Sequence, residues 1–393
     1  MSKGTILYIG GFELPDKNAA AQRVISNGKL LRELGYFVVY CGMNKDEKRE
    51  PNNARKSYFG FESYSLNYPN STFQWFKYIN EFKYYLKIIK KYPDLKAIIC
   101  YNLPSGSLYR LKRYGKKKKI KIISDCTEWY EAPKEGSILS RNVKRLDIFL
   151  RMRRLHFAMD GIISISEFLH RYYSANNQKT IKVPPLVDSS DPKWKNELRI
   201  ERRPVHLVYS GSPFSITSKS SVKDRLDLII EALYALKLEG VSFFMNIVGL
   251  QKESFLEVYP DFSEKISKLE NHINFHGRVP HETSINLLKS SDFSIFVRDE
   301  NIVTKAGFPT KFVESISCGI PVLTNKNSNI QDYLVEGHNG FWVSTESPES
   351  IKESIQVALA QSPENILQFK KNCINALTFD YQNFTEEFEY LLN

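Results

Sequence analysis

The sequence predicts an α/β fold made of two Rossmann-like, doubly wound parallel-sheet domains. A short apolar strand at residues 5–9 is followed by two glycines, a helix over residues 20–33 and a second strand at residues 37–41. The same order of strand, polar loop and helix restarts at residues 205–209 and 224–238. With 393 residues, of which 42% are hydrophobic, the chain is long enough to fill two cores.

The order of strand, loop and helix begins twice, near residue 5 and near residue 205, and these two positions predict the domain limits. We expect a first domain over residues 1–188, a polar linker over residues 189–204 and a second domain over residues 205–378. Residues 379–393 are expected to form a terminal helix. The five cysteines are far apart and odd in number, so we expect buried free thiols and no disulfide framework.

The net charge of +11 is distributed unevenly along the chain. Residues 1–188 hold 34 Lys and Arg against 17 Asp and Glu, a net +17, whereas residues 189–393 hold 21 against 27, a net −6. A one-sided positive field suits an anionic surface or ligand, with nucleic acid and an acidic membrane as the leading candidates. Solvated basic loops are the alternative interpretation.

Residues 307–324 are expected to form a loop, a helix over residues 310–318 and a buried strand. Thr310 can cap this helix, so the free N–H groups of its first turn and the charge of Lys311 favour an anion there, most plausibly a phosphate. Glu314 follows one turn later, where its carboxylate can accept hydrogen bonds from the paired hydroxyls of a ribose. The alternative is an amphipathic helix whose Glu314 faces solvent.

With its following run Ser-Cys-Gly-Ile-Pro-Val, this stretch resembles the donor-nucleotide signature of the retaining GT-B glycosyltransferases of family 4, the glycosyl transferases group 1. The resemblance implies two Rossmann-like domains that face a cleft, with the terminal helix crossing back onto the first domain. It also implies a nucleotide-sugar donor, with UDP-sugar favoured, no further cofactor, and transfer with retention of configuration. Ala306 replaces the first glutamate of the signature, which ordinarily contacts the donor sugar, whereas Glu314 matches the one that holds the ribose.

The resemblance assigns further donor contacts to three other loops. Lys223 matches the lysine that neutralises the donor pyrophosphate, the usual arginine is missing, and Ser212 or Lys219 is expected to compensate. Residues 276–282 resemble the segment that meets the nucleobase. The full set of predicted donor-binding residues is Gly11, Gly211, Ser212, Arg278, Val279, Gly307, Phe308, Pro309, Thr310 and Glu314.

Two carboxylates at the end of the strand at residues 120–125 are candidate catalytic residues. Ligands gather at the carboxyl ends of parallel strands, so Asp125 and Glu128 are expected beside the bound sugar, where many family members carry a histidine. The alternatives are a helix cap for Asp125 and an ion pair for Glu128. With Lys223 and Lys311 these two residues complete the predicted catalytic set. We predict no metal site, because no Asp-x-Asp motif occurs.

Two basic segments of the first domain predict a membrane partner. Residues 71–92 read as one amphipathic helix with lysines among aromatics, and residues 111–121 are strongly basic. A packing helix with a wet basic edge is the alternative. We expect a cytoplasmic protein on the inner face of the membrane, with a glycan or polyprenyl-linked acceptor and no nucleic acid. A nucleic-acid-binding or non-catalytic protein and a nucleotide-sugar epimerase are the competing hypotheses.

Overall fold

The structure is a computed structural model that describes residues 2–15, 17–46, 54–131, 137–176, 179–200, 204–215 and 218–393. The chain forms two compact units. Unit 1 contains Met1–Val187, Ala306–Phe308 and Asp380–Asn393, and unit 2 contains Asp188–Lys305 and Pro309–Phe379. Of the predicted linker, residues 201–203 lie outside the described residues, and the rest belongs to unit 2.

Each unit is built on one large parallel sheet. In unit 1 the order is β3-β4-β2-β1-β5-β6-β7-β8, parallel throughout except for the β3–β4 pair, and in unit 2 it is β13-β12-β9-β14-β15-β16, parallel throughout. The hairpin of β10 and β11 stands apart from both sheets. The strands are β1 (Thr5–Gly10), β2 (Phe37–Asn44), β3 (Lys56–Tyr58), β4 (Phe61–Asn67), β5 (Leu95–Tyr101), β6 (Lys121–Cys126), β7 (Gly161–Ser164), β8 (Thr180–Lys182), β9 (Val205–Ser210), β10 (Phe214–Ser215), β11 (Ser218–Val222), β12 (Phe243–Val248), β13 (Ile273–Gly277), β14 (Phe293–Phe296), β15 (Val322–Thr324) and β16 (Gly340–Trp342).

The crossovers between parallel strands are mostly helical, as parallel pairing requires. The helices are α1 (Ala19–Glu33), α2 (Thr72–Ile79), α3 (Lys83–Ile89), α4 (Ser105–Lys118), α5 (Ile138–Leu150), α6 (Glu167–Ser174), α7 (Leu226–Leu238), α8 (Lys252–Val258), α9 (Ser263–Lys268), α10 (His281–Lys289), α11 (Ile302–Ala306), α12 (Thr310–Ser317), α13 (Pro348–Leu359), α14 (Pro363–Asn375) and α15 (Thr385–Leu392). None of these helices is long and apolar enough to cross a membrane.

The sheet of unit 1 is buried on both faces. Successive side chains of a strand point to opposite faces, and those of β1 divide accordingly: Ile6 and Tyr8 lie in one hydrophobic layer, and Leu7 and Ile9 lie in the other. Phe388 of α15 packs in the same layer as Ile6 and Tyr8, so the last helix is part of the core of unit 1. All five cysteines are buried free thiols, as predicted.

The prediction of one continuous helix over residues 71–92 is wrong, because α2 and α3 are separate helices. Asn80 ends α2: its Nδ2 donates to the carbonyl of Phe76 at 3.3 Å, and its Oδ1 accepts from Arg110 at 2.7 Å. Two aromatic side chains of α2, Phe73 and Phe76, are exposed.

Candidate functional site

The carboxyl ends of three strands in unit 2 are joined by backbone hydrogen bonds. The N–H of Gly211, just after β9, donates to the carbonyl of Val248 in β12 at 2.9 Å, and the N–H of Gly249 donates to Gly277 at the end of β13 at 2.7 Å. Gly211 has a φ of +147°, which favours glycine. Because ligands bind at this edge of a parallel sheet, the joined loops are a candidate binding site.

Helix α12 begins beside these loops, although Thr310 does not cap it. Pro309 is the N-cap residue, no side chain caps the helix, and Thr310 is the first helical residue, so the predicted capping role of Thr310 is wrong. A proline at the boundary sets the entry of the chain through its fixed φ of −74°. The helix ends at Ser317, with Cys318 as its C-cap residue, and the following Gly319 has a φ of +73°, which is typical of a glycine that terminates a helix.

The side chain of Lys311 lies inside unit 2 and not on its surface. It is 9% exposed, and its Nζ donates to Oδ2 of Asp224 at 2.5 Å. The ammonium also lies 4.1 Å from the ring centroid of Tyr209 and 5.4 Å from that of Phe296, which stabilises the cation. The structure therefore holds this lysine in one place, at the carboxyl ends of β9 and β14.

Asp224 connects Lys311 to two further side chains. Its Oδ1 accepts from Nε of Arg298 at 2.6 Å, and its Oδ2 also accepts from the hydroxyl of Tyr209 at 2.7 Å. Arg298 follows β14, and Asn325, which follows β15, fixes it through hydrogen bonds to its backbone N–H at 3.0 Å and its carbonyl at 2.8 Å. The cluster holds two cations and one anion, so it keeps a net positive charge that suits a diphosphate.

Burial and the neighbouring charges shift the pKa values of this cluster. Burial lowers the pKa of Lys311 to about 8, although the Asp224 carboxylate opposes the shift. Burial alone would raise the pKa of the Asp224 carboxyl, but Lys311 and Arg298 hold it well below its usual range. Burial and then the Asp224 carboxylate raise the pKa of Tyr209. At neutral pH, therefore, Asp224 is charged, Tyr209 is neutral, and most Lys311 side chains carry a proton.

The loop after β9 brings Gly211 against Lys311. A Cβ atom at Gly211 would stand 2.8 Å from Nζ of Lys311, which is too close, so only glycine allows the loop to lie this near to the lysine. Ser212, the next residue, is exposed, and so is Lys223, whose charge contributes to the lowered pKa of Lys311. The side chain of Lys219 lies outside the described residues. Three of the predicted phosphate-binding residues, Gly211, Lys223 and Lys311, thus lie close together.

Glu314 lies one turn into α12, next to the first residue of α10. Its Oε1 is 3.4 Å from Nε2 of His281, and both side chains are partly buried. Arg278, which is exposed, and Val279 lie in the short loop that leads from β13 to His281. The fold therefore connects the predicted nucleobase loop to the predicted ribose carboxylate through the start of α10.

In unit 1, the two glycines after β1 have different surroundings. A Cβ atom at Gly10 would stand 2.1 Å from the carbonyl of Tyr101, so packing alone requires glycine there. At Gly11, no described atom lies within 4 Å of the corresponding position, which leaves room for a ligand. Gly307 and Phe308, which precede α12 in the chain, belong to unit 1.

Ala306 does not offer a side chain that could replace the missing glutamate of the signature. It is fully buried, and its carbonyl accepts from the hydroxyl of Ser166 at 2.7 Å. The position therefore serves packing within unit 1.

Asp125 lies in a buried ion pair within unit 1. Its carboxylate accepts from Nε of Arg23 at 3.1 Å, from NH2 of Arg23 at 2.8 Å and from the hydroxyl of Tyr8 at 2.5 Å. NH1 of Arg23 donates to the carbonyl of Val183 at 3.0 Å. These contacts favour a structural role for Asp125, which joins α1 to the ends of β6 and β8, over direct contact with substrate. Glu128, three residues later, is exposed.

Sequence reasoning missed four residues of this site: Tyr209, Asp224, His281 and Arg298. Asp224 is adjacent to the predicted Lys223, and Arg298 comes two residues after β14, so the strand-end rule that selected Asp125 could have found both. Within the described residues, no group of three His, Cys, Asp or Glu side chains could hold a metal ion.

The two parallel-sheet units define an α/β protein of the GT-B class, as predicted. The structure resembles a solved structure of Anabaena Alr3699/HepE in complex with UDP, with a TM-score of 0.63 over 98% of each chain at 12% identity. This likeness is evidence of the fold.

Residues 199–376 match the family described as glycosyl transferases group 1. The family-level resemblance predicted from the sequence is thereby confirmed for this part of the chain.

Two curated relatives each match less than half of the chain. An uncharacterized glycosyltransferase of Methanocaldococcus jannaschii is 24% identical over 175 residues, which are 40% of this chain and 44% of that protein. The putative colanic acid biosynthesis glycosyltransferase WcaL of Salmonella typhimurium is 25% identical over 198 residues, 48% of this chain and 45% of that protein. The chain thus spans under half the length of the curated relatives that it matches.

Proposed function

We propose that the protein is a glycosyltransferase that moves a sugar from a nucleoside diphosphate sugar to an acceptor hydroxyl. The observation that carries the proposal is the buried Lys311, held by Asp224 beside Gly211, with Glu314 one helical turn further on. A fixed cation next to a glycine backbone suits a diphosphate, and a nearby carboxylate suits the hydroxyls of a ribose. The group 1 family match over residues 199–376 supports the same activity.

A UDP-sugar is the favoured donor. HepE, which shares the fold, was solved with UDP. In our proposal, Lys311, Lys223, Gly211 and Ser212 hold the diphosphate, together with the backbone of Gly307, Phe308, Pro309 and Thr310. Arg278 and Val279 contact the nucleobase, and Gly11 approaches the donor phosphate or the acceptor. Because Ala306 carries no polar side chain, we expect the chain to recognise the nucleotide more strongly than the sugar.

In the proposed reaction, negative charge develops on the departing diphosphate. The bond between the sugar C1 and the phosphate oxygen breaks, a bond between C1 and the acceptor oxygen forms, and the proton of the acceptor hydroxyl passes to the departing phosphate. Lys311 and Arg298 carry charges that are in position before the reaction, which stabilises the developing anion without reorganisation. We propose that the acceptor attacks from the face that the diphosphate leaves, with retention of configuration and without a metal ion. Glu128 is the carboxylate that we favour near the sugar.

The acceptor is proposed to be a glycan or a polyprenyl-linked glycan in bacterial surface polysaccharide synthesis. The similarity to the putative colanic acid glycosyltransferase of Salmonella supports this assignment. We assign the acceptor and the membrane to residues 1–188, the donor to residues 205–378, and a connecting role to residues 189–204 and 379–393. The protein would then act in the cytoplasm, on the inner face of an acidic membrane.

Titration calorimetry tests the proposal directly. The purified chain is titrated with UDP, GDP, ADP, CDP and dTDP, and the bound nucleotide's sugar derivatives are then tested for nucleotide release in the presence of a membrane lipid extract. We expect one nucleotide to bind and its release from a sugar derivative to require the extract. Failure of all five to bind would contradict the proposal. Formation of an epimer without acceptor would replace it with an epimerase.

A further inference from the structure

Helix α5 presents five of its seven apolar side chains to solvent. It is 13 residues long and has no buried residue. Ile138, Leu139, Leu146 and Phe149 are 50% exposed or more, and Leu150 is 37% exposed. At 100° per residue these five side chains fall within one 120° sector of the helix. A surface helix normally turns such a sector towards the core, so α5 is oriented the opposite way.

The opposite side of α5, which includes the partly buried Val143 and Ile148 as well as Asp147, contacts the rest of unit 1. Oδ1 of Asp147 accepts from the N–H of Ser105 at the start of α4, at 2.7 Å. Nζ of Lys144 lies over the ring of Trp75 in α2, 5.5 Å from its centroid. The hydrogen bond, the cation–π contact and the partial burial of Val143 and Ile148 fix the orientation of the helix, with the five exposed apolar side chains outward.

Helix α2 extends the apolar surface. Phe73 and Phe76 are exposed. Phe76, together with Trp75 and Ile79, faces Leu139 of α5 across a shallow groove of about 100 Å³. An exposed apolar surface of this extent normally marks an interface.

The charges around this surface indicate what covers it. Helices α2, α4 and α5 pack together and carry ten Lys and Arg between them against a single acidic residue, Asp147, which is turned inward. A two-fold dimer through this surface would bring like charges such as Lys77 and Arg145 together, without an acidic partner from these helices. A nucleic acid would satisfy the charges but not the aliphatic side chains. An acidic lipid surface satisfies both.

We propose that the outward face of α5, extended by Phe73 and Phe76 of α2, inserts into an acidic phospholipid surface, with Arg141 and Arg145 on the headgroups. The inference rests on the proposed function only in placing the acceptor at a membrane. Helix α5 is not one of the two basic segments for which the sequence predicts membrane contact. Vesicle binding needs no nucleotide, and nucleotide binding needs no vesicle. The two proposals therefore fail in separate experiments.

The first test compares binding to vesicles of phosphatidylglycerol and phosphatidylcholine with binding to phosphatidylcholine alone. We expect the full chain to sediment with the acidic vesicles, and the variant with Leu146→Glu and Phe149→Glu to lose at least tenfold in vesicle affinity. The matched control carries Leu238→Glu and Val357→Glu, two exposed apolar positions on helices of unit 2, and should bind as the native chain does. Equal loss in both variants, or no loss in the α5 variant, would overturn the proposal.

A second measurement reports insertion without a charge substitution in the apolar sector. Because all five native cysteines are buried, an environment-sensitive dye can be attached selectively to Leu146→Cys, and to Leu238→Cys as the control. Acidic vesicles should shift the emission of the dye to the blue only at Leu146→Cys. A shift at neither position, or dissociation of a native dimer by the α5 double substitution without vesicles, would contradict membrane insertion. Tighter binding to RNA than to acidic vesicles would contradict it as well.

Discussion

Lys311 and Asp224 form an ion pair of 2.5 Å in the interior of unit 2, and Asp224 keeps a second cation partner, Arg298, on its other oxygen. Lys370 and Asp292 form another buried pair in the same unit, at 2.9 Å. The two lysines are both nearly inaccessible, but only Lys311 lies beside the glycine loop at the carboxyl end of the sheet. This contrast is the basis of our proposal that Lys311 binds a ligand, whereas Lys370 stabilises the fold.

Replacing the two buried lysines should therefore have opposite effects on stability and binding. In Lys311→Met, Arg298 still neutralises Asp224, so we expect the free energy of unfolding to change by only about 1–2 kcal/mol. The affinity for the nucleotide should fall roughly 10- to 100-fold, because a charged contact to the diphosphate is lost. Denaturant unfolding and calorimetry measure the two quantities.

Lys370→Met is the matched control for this pair of measurements. It removes the cation from Asp292 and should lower the free energy of unfolding by about 3–5 kcal/mol, while the folded fraction keeps its nucleotide affinity. A Lys311→Met protein that loses stability but not affinity would assign Lys311 to the fold alone.

The pH dependence of binding should follow the titration of Lys311. Burial lowers its pKa to about 8 in the free protein, and a bound diphosphate favours the charged form. The affinity for the nucleotide should therefore be constant between about pH 7, where the terminal phosphate is ionised, and that pKa, and fall up to about tenfold per pH unit above it. In Lys311→Met this decrease should disappear, and its persistence would assign the pH dependence to another group.

Stability should change in the opposite direction over the same pH window. The lowered pKa means that the unfolded chain binds more protons than the native chain between the native pKa of about 8 and the ordinary value of 10.5. The contribution of Lys311 to the free energy of unfolding therefore increases with pH in this window, whereas the affinity decreases. The difference between the native chain and Lys311→Met isolates this contribution.

Gly211 and Gly240 both have positive φ values, and they differ in what a side chain would meet. Gly211→Ala places a Cβ 2.8 Å from Nζ of Lys311, whereas no described atom lies within 4 Å of that position at Gly240. Both substitutions should lower the free energy of unfolding by about 1–2 kcal/mol through backbone strain. Only Gly211→Ala should also weaken nucleotide binding, by roughly tenfold or more. Equal binding by both variants would mean that the Gly211 loop is not part of the site.

The roles of the two candidate carboxylates of unit 1, Asp125 and Glu128, can be distinguished by how their substitution changes the free energy of unfolding. Asp125→Asn breaks the buried pair with Arg23 and should lower the free energy of unfolding by about 3–5 kcal/mol. Glu128→Gln changes an exposed residue and should leave stability within about 0.5 kcal/mol. If Glu128 contacts the sugar, its substitution lowers the transfer rate without this loss of stability. Full transfer by Glu128→Gln would remove it from the proposed reaction.

The sequence was sufficient to predict the fold class, because alternating strands, glycine turns and helices recur twice with ordinary spacing. Lys311 and Glu314 could also be predicted as candidates, since they lie in one short motif whose spacing is one helical turn. Tyr209, Asp224 and Arg298 meet Lys311 only when the ends of β9 and β14 are aligned in the sheet. Because β9 and β14 are far apart in the chain, no local sequence pattern predicts that they pair.

The sequence did not predict that the charged side chains of Lys311 and Asp125 are buried. The sequence predicts Lys311 as a charge in the first turn of a helix, and the structure buries it next to the rings of Tyr209 and Phe296. Asp125 was predicted as a substrate contact, and Arg23, 102 residues away in the chain, takes up its carboxylate. In both cases the secondary-structure element was predicted correctly, and the partner that determines the charge environment lies in a distant segment of the chain.

The proposed contact between Glu314 and the ribose provides the most direct test of a nucleotide site in unit 2. UDP and its 2′-deoxy and 3′-deoxy analogues are titrated into the native chain and into Glu314→Gln, with Glu253→Gln, an exposed carboxylate of α8, as the control. We predict that Glu314→Gln loses roughly 10- to 100-fold in affinity for UDP but much less for the analogue that lacks the contacted hydroxyl, and that the control loses nothing. An equal loss for UDP and both analogues, or no loss at all, would contradict the assignment of Glu314 to the ribose and with it the proposed donor site.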